Sequence, residues 1–535
     1  MKKAVNTQWA PPDQPLLDLT PYGYDKDDSI SDSTENAAIT QHTITLNGAP
    51  ISYTARAGHL VTTDLYSARP VAKIFYVAFV KSDPSDRPVT FFYNGGPGSS
   101  SVYLLLGSLG PRRIQTSMPN YTRPAPYAPL VDNEHSLLDR TDLVFINPVG
   151  TAYSTAIAPG KNSDFWGVDE DANSIKQFVK RYLTAFNRWN SPKFLFGESY
   201  GTPRTCVLTW LLHEDGVDLN GIILQSSVLD YSRLGNPIGL LPTFAADALV
   251  HGKVTISPAP DLDRFMEDVA EFAVGDYAAA KATFPKVDPK VLRYLSDVIG
   301  ISPDVLKSWK LDPTTPSIKL FLTSLLQDQG LAVGAYDGRV TARDTGIAAS
   351  LKGNNDPALM AVSGVYTAMW HIYLNNELKY TSTAPFLAQN DKVGPNWNFS
   401  HIDPTGTKNV DNLYTAGDLA TAMEVNPYLK VFSASGYYDA VTPFFQTFLN
   451  FQNMPLGSES ARKNALNNIT TCNYKSGHMI YLDDDSRVKM KGHLAKFYDE
   501  AILKSQAATQ GIEAAPKTQE GFYTSLKRRM NRTPY

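Results

Sequence analysis

The residues Gly197-Glu198-Ser199-Tyr200-Gly201 follow an apolar, strand-like run, Phe194-Leu195-Phe196, and precede a helical pattern of Cys206, Val207, Trp210 and Leu211. Gly-x-Ser-x-Gly between a strand and a helix is the setting of a nucleophile elbow. The turn is so tight that only glycines tolerate the approach of neighbouring backbone. It lifts the serine clear of the sheet, and the helix N-terminus behind it favours negative charge. A serine hydroxyl is a poor nucleophile until a base takes its proton, so a histidine and an orienting carboxylate must stand elsewhere in the chain. In this arrangement the acid follows the serine and the histidine follows the acid. Of nine histidines, six lie before residue 400, His401 borders a change in character described below, and His493 falls in the last helical pattern. His478 remains, in Lys475-Ser476-Gly477-His478-Met479-Ile480 after the strand-like Ile469–Tyr474. The acid is read as Asp439, just past the strand-like Leu429–Ala434, with Asp418 and Asp483 as the rival carboxylates.

A second motif is Phe91-Phe92-Tyr93-Asn94-Gly95-Gly96-Pro97-Gly98-Ser99-Ser100-Ser101. A serine hydrolase needs two backbone donors for the oxyanion. One comes from the residue after the nucleophile and the other from a loop after an early strand, which this motif supplies. No Lys-Ser/Thr follows the glycines, so it is not a phosphate loop.

The elements that must carry these residues alternate between short apolar runs and helical patterns, which predicts an α/β class with a mostly parallel central sheet. Expected strands are Ile74–Val80, Val89–Tyr93, Leu143–Asn147, Lys193–Phe196, Gly221–Gln225 and Leu429–Ala434. Asn47-Gly48 signals a hairpin turn. Val168–Trp189 carries Ile175, Phe178, Val179, Tyr182, Leu183 and Phe186 on one helical face, with Asp169, Glu170 and Asp171 at the positive end of the helix dipole. Residues 1–40 read as an N-terminal arm on the surface or partly disordered, 41–231 and 401–506 as the two parts of the α/β core, 232–400 as a largely helical cap insertion, and 507–535 as a polar tail ending in Lys527-Arg528-Arg529. Ser486–Gln506 is expected to close the core as an amphipathic helix.

Bulk properties narrow the function. With a net charge of -4, no basic face is advertised and no nucleic-acid partner is expected. No apolar run reaches the ~18 residues a membrane helix needs. The start, Met-Lys-Lys, lacks the apolar stretch of a signal peptide, so a cytoplasmic location is expected, with a periplasmic or secreted one if a signal lies outside this sequence. Cys206 and Cys472 are expected as two buried free thiols, a single bridge being the alternative. Neither lies in a metal-binding pattern, and no metal or cofactor is expected.

Asn94-Gly95-Gly96-Pro97-Gly98-Ser99-Ser100-Ser101, Gly197-Glu198-Ser199-Tyr200-Gly201 and Gly477-His478-Met479 together resemble the three signatures of the serine carboxypeptidases, the S10 peptidases of the α/β-hydrolase fold. Leu109-Gly110-Pro111 and Phe145-Ile146-Asn147-Pro148-Val149-Gly150 are similar to landmarks of the same family. The resemblance implies a catalytic triad of Ser199, Asp439 and His478 and an oxyanion hole of the Gly96 and Tyr200 N–H groups. It also implies a site for the substrate's C-terminal carboxylate made by Asn94, the Gly95 backbone and a protonated Glu198. The implied partner is a peptide with a free C-terminus, and the implied reaction is release of its last residue through an acyl-enzyme on Ser199. An esterase or acyltransferase using the same triad is the alternative. Three positions depart from the family: Ser99 replaces a cysteine, Ser108 replaces an acid, and Gly436-Tyr437-Tyr438-Asp439 keeps only the second of two acids. The exchange at Ser108 predicts that Glu198 loses its proton at lower pH than the family pattern. Oligomeric state has no signature in the chain.

Overall fold

The computed structural model describes residues 12–82, 86–116, 118–120, 129–256, 261–344 and 356–509, with side chains as far as Leu503. The tail's Lys527-Arg528-Arg529 and residues 1–11 lie outside the described residues. Nine strands form the main sheet: β1 (Ala37–Leu46), β2 (Ala49–Thr63), β3 (Pro70–Lys81), β4 (Val89–Tyr93), β5 (Asp142–Ile146), β6 (Lys193–Glu198), β7 (Gly221–Gln225), β8 (Lys430–Gly436) and β9 (Ile469–Tyr474). Their order is β9-β8-β7-β6-β4-β5-β3-β2-β1, and the two-residue strand Thr155–Ala156 adds to the edge of β3. From β9 to β5 every pairing is parallel, whereas β3, β2 and β1 join antiparallel. Asn47 and Gly48 both take positive φ, 53° and 77°, and close the β1–β2 hairpin as their residue types require.

Side chains alternate along each strand, and this divides the apolar residues between two cores. Phe75, Val77 and Phe79 face one side of β3, and Ile74, Tyr76 and Ala78 the other. Phe194 and Phe196 of β6 share the first core, while Leu195 lies in the second. The second core is closed by α1 (Val168–Ala185) and α2 (Gly201–Glu214), the first by the last helix of the chain. That continuous burial on both faces is why the parallel strands read as unbroken apolar runs.

Between β7 and β8 the main sheet gains no strand. The interval holds α3 (Pro237–Val250), α4 (Leu262–Phe272), α5 (Pro289–Ile299), α6 (Ser363–Asn376) and α7 (Ala416–Val425), besides shorter helices and two-stranded ladders. Helices α3, α4 and α5 pack on one another around Phe244, Phe265, Met266 and Leu295, a third core that also takes in α8 (Phe444–Gln452) after β8. The chain closes with α9 (Asp484–Thr509). No helix among the described residues is long and apolar enough to cross a membrane.

The N-terminal segment departs from expectation. Strand β1 begins at Ala37, inside the expected arm of residues 1–40. Residues from 12 onward form an ordered strap in which Leu16–Asp18 pairs with Tyr380–Ser382. Its Tyr22 and Ile30 are buried, and the buried Asp18 carboxyl accepts hydrogen bonds from Tyr22 Oη at 2.7 Å and from Tyr380 Oη. A polar composition concealed these few anchors.

Candidate active site

Strand β6 ends at Glu198, and α2 starts at Gly201, leaving two residues to reverse the chain. Ser199 pays for this turn with φ of 58°, a left-handed conformation that costs a non-glycine residue on the order of 1 kcal/mol. The strain is held by the Ser199 N–H donating to Gln225 O at 3.0 Å, and by Thr202 N and Oγ1 donating to Ser199 O at 2.8 and 2.7 Å. A Cβ on Gly197 would stand 2.1 Å from Gly201 O, so the strand–helix crossing closes only over a glycine.

Asp439 follows β8 and His478 follows β9, so both arrive at the same end of the sheet as Ser199. Asp439 Oδ2 lies 2.8 Å from His478 Nδ1. Thr442 Oγ1 donates to Oδ2 at 2.6 Å, and the N–H groups of Val441 and Thr442 donate to Oδ1, each at 2.9 Å. The carboxyl group is fully buried, yet both oxygens are met by hydrogen bonds, which fixes its orientation toward the imidazole. His478 is itself fixed through its backbone: its N–H donates to Tyr336 O at 2.6 Å, and its carbonyl accepts from Ser226 Oγ at 2.6 Å. Ser226 follows Gln225, whose carbonyl holds Ser199, so one strand end ties the serine and the histidine together. Burial lowers the affinity of the imidazole for its proton, but Asp439, and beyond it Glu198, outweigh this and leave it raised above the ordinary histidine range. The rival acids are engaged elsewhere: Asp418 binds His401 at 3.1 Å, and Asp483 binds Arg339 at 2.8 Å.

Glu198 is 3% exposed. Burial pushes its carboxyl up to about 7, against the pull of His478 and of donors from Tyr481 and Asn94. Gln225 Nε2 donates to Oε2 at 3.0 Å, and Tyr481 Oη to Oε1 at 3.3 Å. Ser108, where the family carries an acid, lies buried in the helical turn Leu104–Leu109, and its hydroxyl makes no hydrogen bond among the described residues. The proton on Glu198 is therefore favoured by desolvation rather than by a paired acid at position 108.

The Asn94–Ser101 loop lies directly against the elbow. A Cβ on Gly95 would fall 2.3 Å from Tyr200 N, and Gly96 takes φ of 101°. Ser99 N–H closes the turn on Gly95 O at 3.1 Å. Asn94 accepts from Leu104 N at 3.1 Å, and its carbonyl accepts from Arg204 Nη1 at 2.8 Å. Arg204 is a fully buried cation paired with Asp171 at 2.5 Å, lying over the rings of Tyr93 and Tyr200. Thus the eight residues singled out from sequence gather at one end of the sheet: Asp439 pairs with His478, Glu198 lies with Asn94, Gly95 and Tyr200, Ser199 sits on the elbow between Glu198 and Tyr200, and Gly96 continues the loop after Gly95.

Several neighbours were not foreseen: Gln225, Ser226, Thr442, Tyr336, Tyr481 and Arg204. Gln225 alone left a trace in the sequence, as a polar residue closing an apolar strand, directly opposite Glu198 in the β6–β7 register. The rest depend on contacts between distant segments.

The family model described as "Serine carboxypeptidase" matches residues 49–230, a stretch that carries the Asn94–Ser101 loop and the elbow and ends before Asp439. Serine carboxypeptidase-like 2 of Arabidopsis thaliana is 26% identical over 254 residues, covering 45% of this chain and 52% of that protein. Serine carboxypeptidase-like 3 of the same plant is 31% identical over 232 residues, covering 38% and 44%. The chain thus spans about half the length of the curated relatives it matches. Among solved structures, the prohormone-processing carboxypeptidase Kex1 of Saccharomyces cerevisiae aligns with a TM-score of 0.52 over 84% of this chain and 92% of that one, at 15% identity, a likeness of fold. The strand order, the elbow between β6 and α2, and this likeness make the fold an α/β-hydrolase with a mixed, mostly parallel sheet. The motifs, the family match and the fold agree: over residues 49–230 the chain is similar to the serine carboxypeptidases, peptidase S10, and it carries their α/β-hydrolase fold.

Proposed function

We propose that the protein is a serine carboxypeptidase that hydrolyses the last bond of peptides with a free C-terminus. The observation that carries the reading is Glu198, a buried carboxyl pushed up to about 7 beside the candidate nucleophile and within reach of Asn94. A carboxyl that keeps its proton can donate to a bound carboxylate, whereas an ionised one would repel it.

In this reading His478 Nδ1–H donates to Asp439, which leaves Nε2 free to accept the Ser199 proton as Oγ attacks the scissile carbonyl. The C–N bond breaks as His478 returns that proton to the leaving amine. Water, activated by the same imidazole, then cleaves the acyl-enzyme. Negative charge on the carbonyl oxygen is received by the Gly96 and Tyr200 N–H groups, preorganised by the loop and the elbow. An esterase would use the same nucleophile, base and oxyanion hole to break a C–O bond, and an acyltransferase to pass the acyl group to an acceptor other than water, but neither would need the Glu198 proton.

The test is turnover of matched peptides with free and amidated C-termini, followed by mass spectrometry. Stepwise loss of residues from the free peptide alone is expected. Ser199→Ala should lower kcat by on the order of 10⁶. Asp439→Asn and His478→Ala should each be severely impaired, without adding to the serine variant, because the three act as a unit. Full activity of Asp439→Asn would overturn the assignment of the acid.

A further inference from the structure

We infer that Asn390 is a positioning residue for the oxyanion loop, acting from the segment between α6 and α7, far from the catalytic residues in sequence. This rests on the reading above, in which the Gly96 N–H receives the oxyanion.

The loop Gly95–Ser100 is covered on its outer side by residues 387–393. Asn390 N–H donates to Gly98 O at 2.8 Å, and Ser100 N–H donates to Ala388 O at 2.8 Å. Gly98 has φ of 104°, and a Cβ there would lie 2.7 Å from Asn390 O. The two backbones are thus in direct contact, and wherever residue 390 sits, Gly98 must follow. Gly98 N lies so close to Gly96 that a Cβ on Gly96 would reach it at 2.7 Å. A displacement of Gly98 therefore passes to the residue whose N–H is aimed at the oxyanion.

The Asn390 side chain is what holds its own backbone in place. It is 3% exposed, and its amide donates to Gly150 O at 2.8 Å and to Tyr24 O at 2.9 Å. Its Oδ1 accepts from Lys392 N at 3.1 Å. One buried amide so pins the covering segment to the loop after β5 and to the N-terminal strap, with every donor used. A carboxylate in its place would face two carbonyl oxygens, and alanine would leave both without their donor. Because oxyanion donors act only when placed to within a fraction of an ångström, loosening this clamp should raise the barrier while leaving substrate binding intact.

Asn390→Ala and Asn390→Asp are compared with Asn162→Ala. Asn162 is also fully buried, and it donates to Gly23 O at 3.2 Å and Asp25 O at 3.0 Å of the same strap, but its bonds do not touch the oxyanion loop. Kinetics are measured well below each melting temperature. The Asn390 variants are expected to lose about tenfold or more in kcat with KM within about twofold, and to lose a similar factor in affinity for a peptide aldehyde, whose adduct fills the oxyanion hole. Asn162→Ala is expected to lower the melting temperature and leave kcat unchanged. Should the Asn390 variants not fold, Gly98→Ala separates the same two backbones with Asn390 intact, and the same loss of kcat and aldehyde affinity is expected. Unchanged kcat in a folded Asn390 variant, or an equal loss of kcat in Asn162→Ala, would overturn the proposal. Absence of Ser199-dependent turnover in the wild-type chain would instead bring down the functional reading on which it rests.

Discussion

In the proposed mechanism, Glu198 and His478 make opposite demands on one range of pH. The imidazole must be neutral to accept the serine proton, and Asp439 raises its pKa above the ordinary histidine value. Activity should therefore fall as pH drops through that raised value, for every substrate alike. On the same proposal Glu198 must be protonated to hold a free carboxylate, and burial places its pKa at about 7. For free peptides kcat/KM should thus decline again as pH rises through about 7, giving a narrow bell, while esters blocked at the C-terminus keep only the acid limb. Glu198→Gln keeps a donor at every pH. It is expected to remove the alkaline decline for free peptides and to leave blocked substrates little changed. A variant that reproduces the wild-type bell would show that Glu198 does not meet the substrate carboxylate. Desolvation explains why Ser108 does not deprive Glu198 of its proton: burial favours the neutral form without a second acid there, against the pull of His478, Tyr481 and Asn94.

Elements are locked to one another by buried charge. His401, 1% exposed, lies between Asp169 of α1, at 2.5 Å, and Asp418 of α7, at 3.1 Å. Burial opposes its charge, but the two carboxylates prevail and raise the imidazole to about 10. The folded value lies above the unfolded one of about 6.5. The stabilisation is therefore complete below pH 6.5 and fades as pH climbs from there through about 10. Melting temperature should fall across this interval, by an amount corresponding to roughly 2–4 kcal/mol. His401→Gln should be less stable at pH 6 and show a flatter decline. If wild type and variant lose stability in parallel from pH 6.5 to 10, the ion pair is not the cause. Sequence order alone gave this histidine no catalytic place, and its two carboxylates give it a role in joining α1 to α7.

Among the described residues, the three apolar cores, a fourth cluster around Trp166, Tyr200 and Trp397, and the N-terminal strap hold the chain together without a covalent cross-link between the cysteines. Both are free: Cys206 is buried on α2, where burial pushes its thiol far up, and Cys472 is half-buried on β9, pushed up to about 11. The expectation of two buried thiols thus holds for the first and only partly for the second. Neither is a ready thiolate at neutral pH. In the folded protein Cys206 should resist a thiol reagent and Cys472 should react slowly, while both react fully in denaturant. The melting temperature should be the same with and without a reductant. A drop on reduction would reveal a bond between them.

The chemistry that must be local was legible in the residues themselves. Gly197 and Gly201 announce the elbow because a Cβ at either would strike neighbouring backbone, at 2.1 and 2.9 Å, and Ser199 stands between them with a hydroxyl that chemistry rather than packing calls for. Strands β4 and β7 were bounded to the residue, because strands buried on both faces must be apolar throughout. The order Ser199, Asp439, His478 follows from the sequence in which the strands deliver their ends. What only the tertiary structure decided are the contacts between segments far apart in the chain. Gln225 meets Glu198 because β7 pairs with β6 in one particular register. Arg204 reaches Asp171 because α2 packs on α1, and Asn390 reaches Gly98, Gly150 and the strap because three loops converge there. A side chain's partners across such distances depend on the packing of whole elements, which local pattern and propensity do not encode.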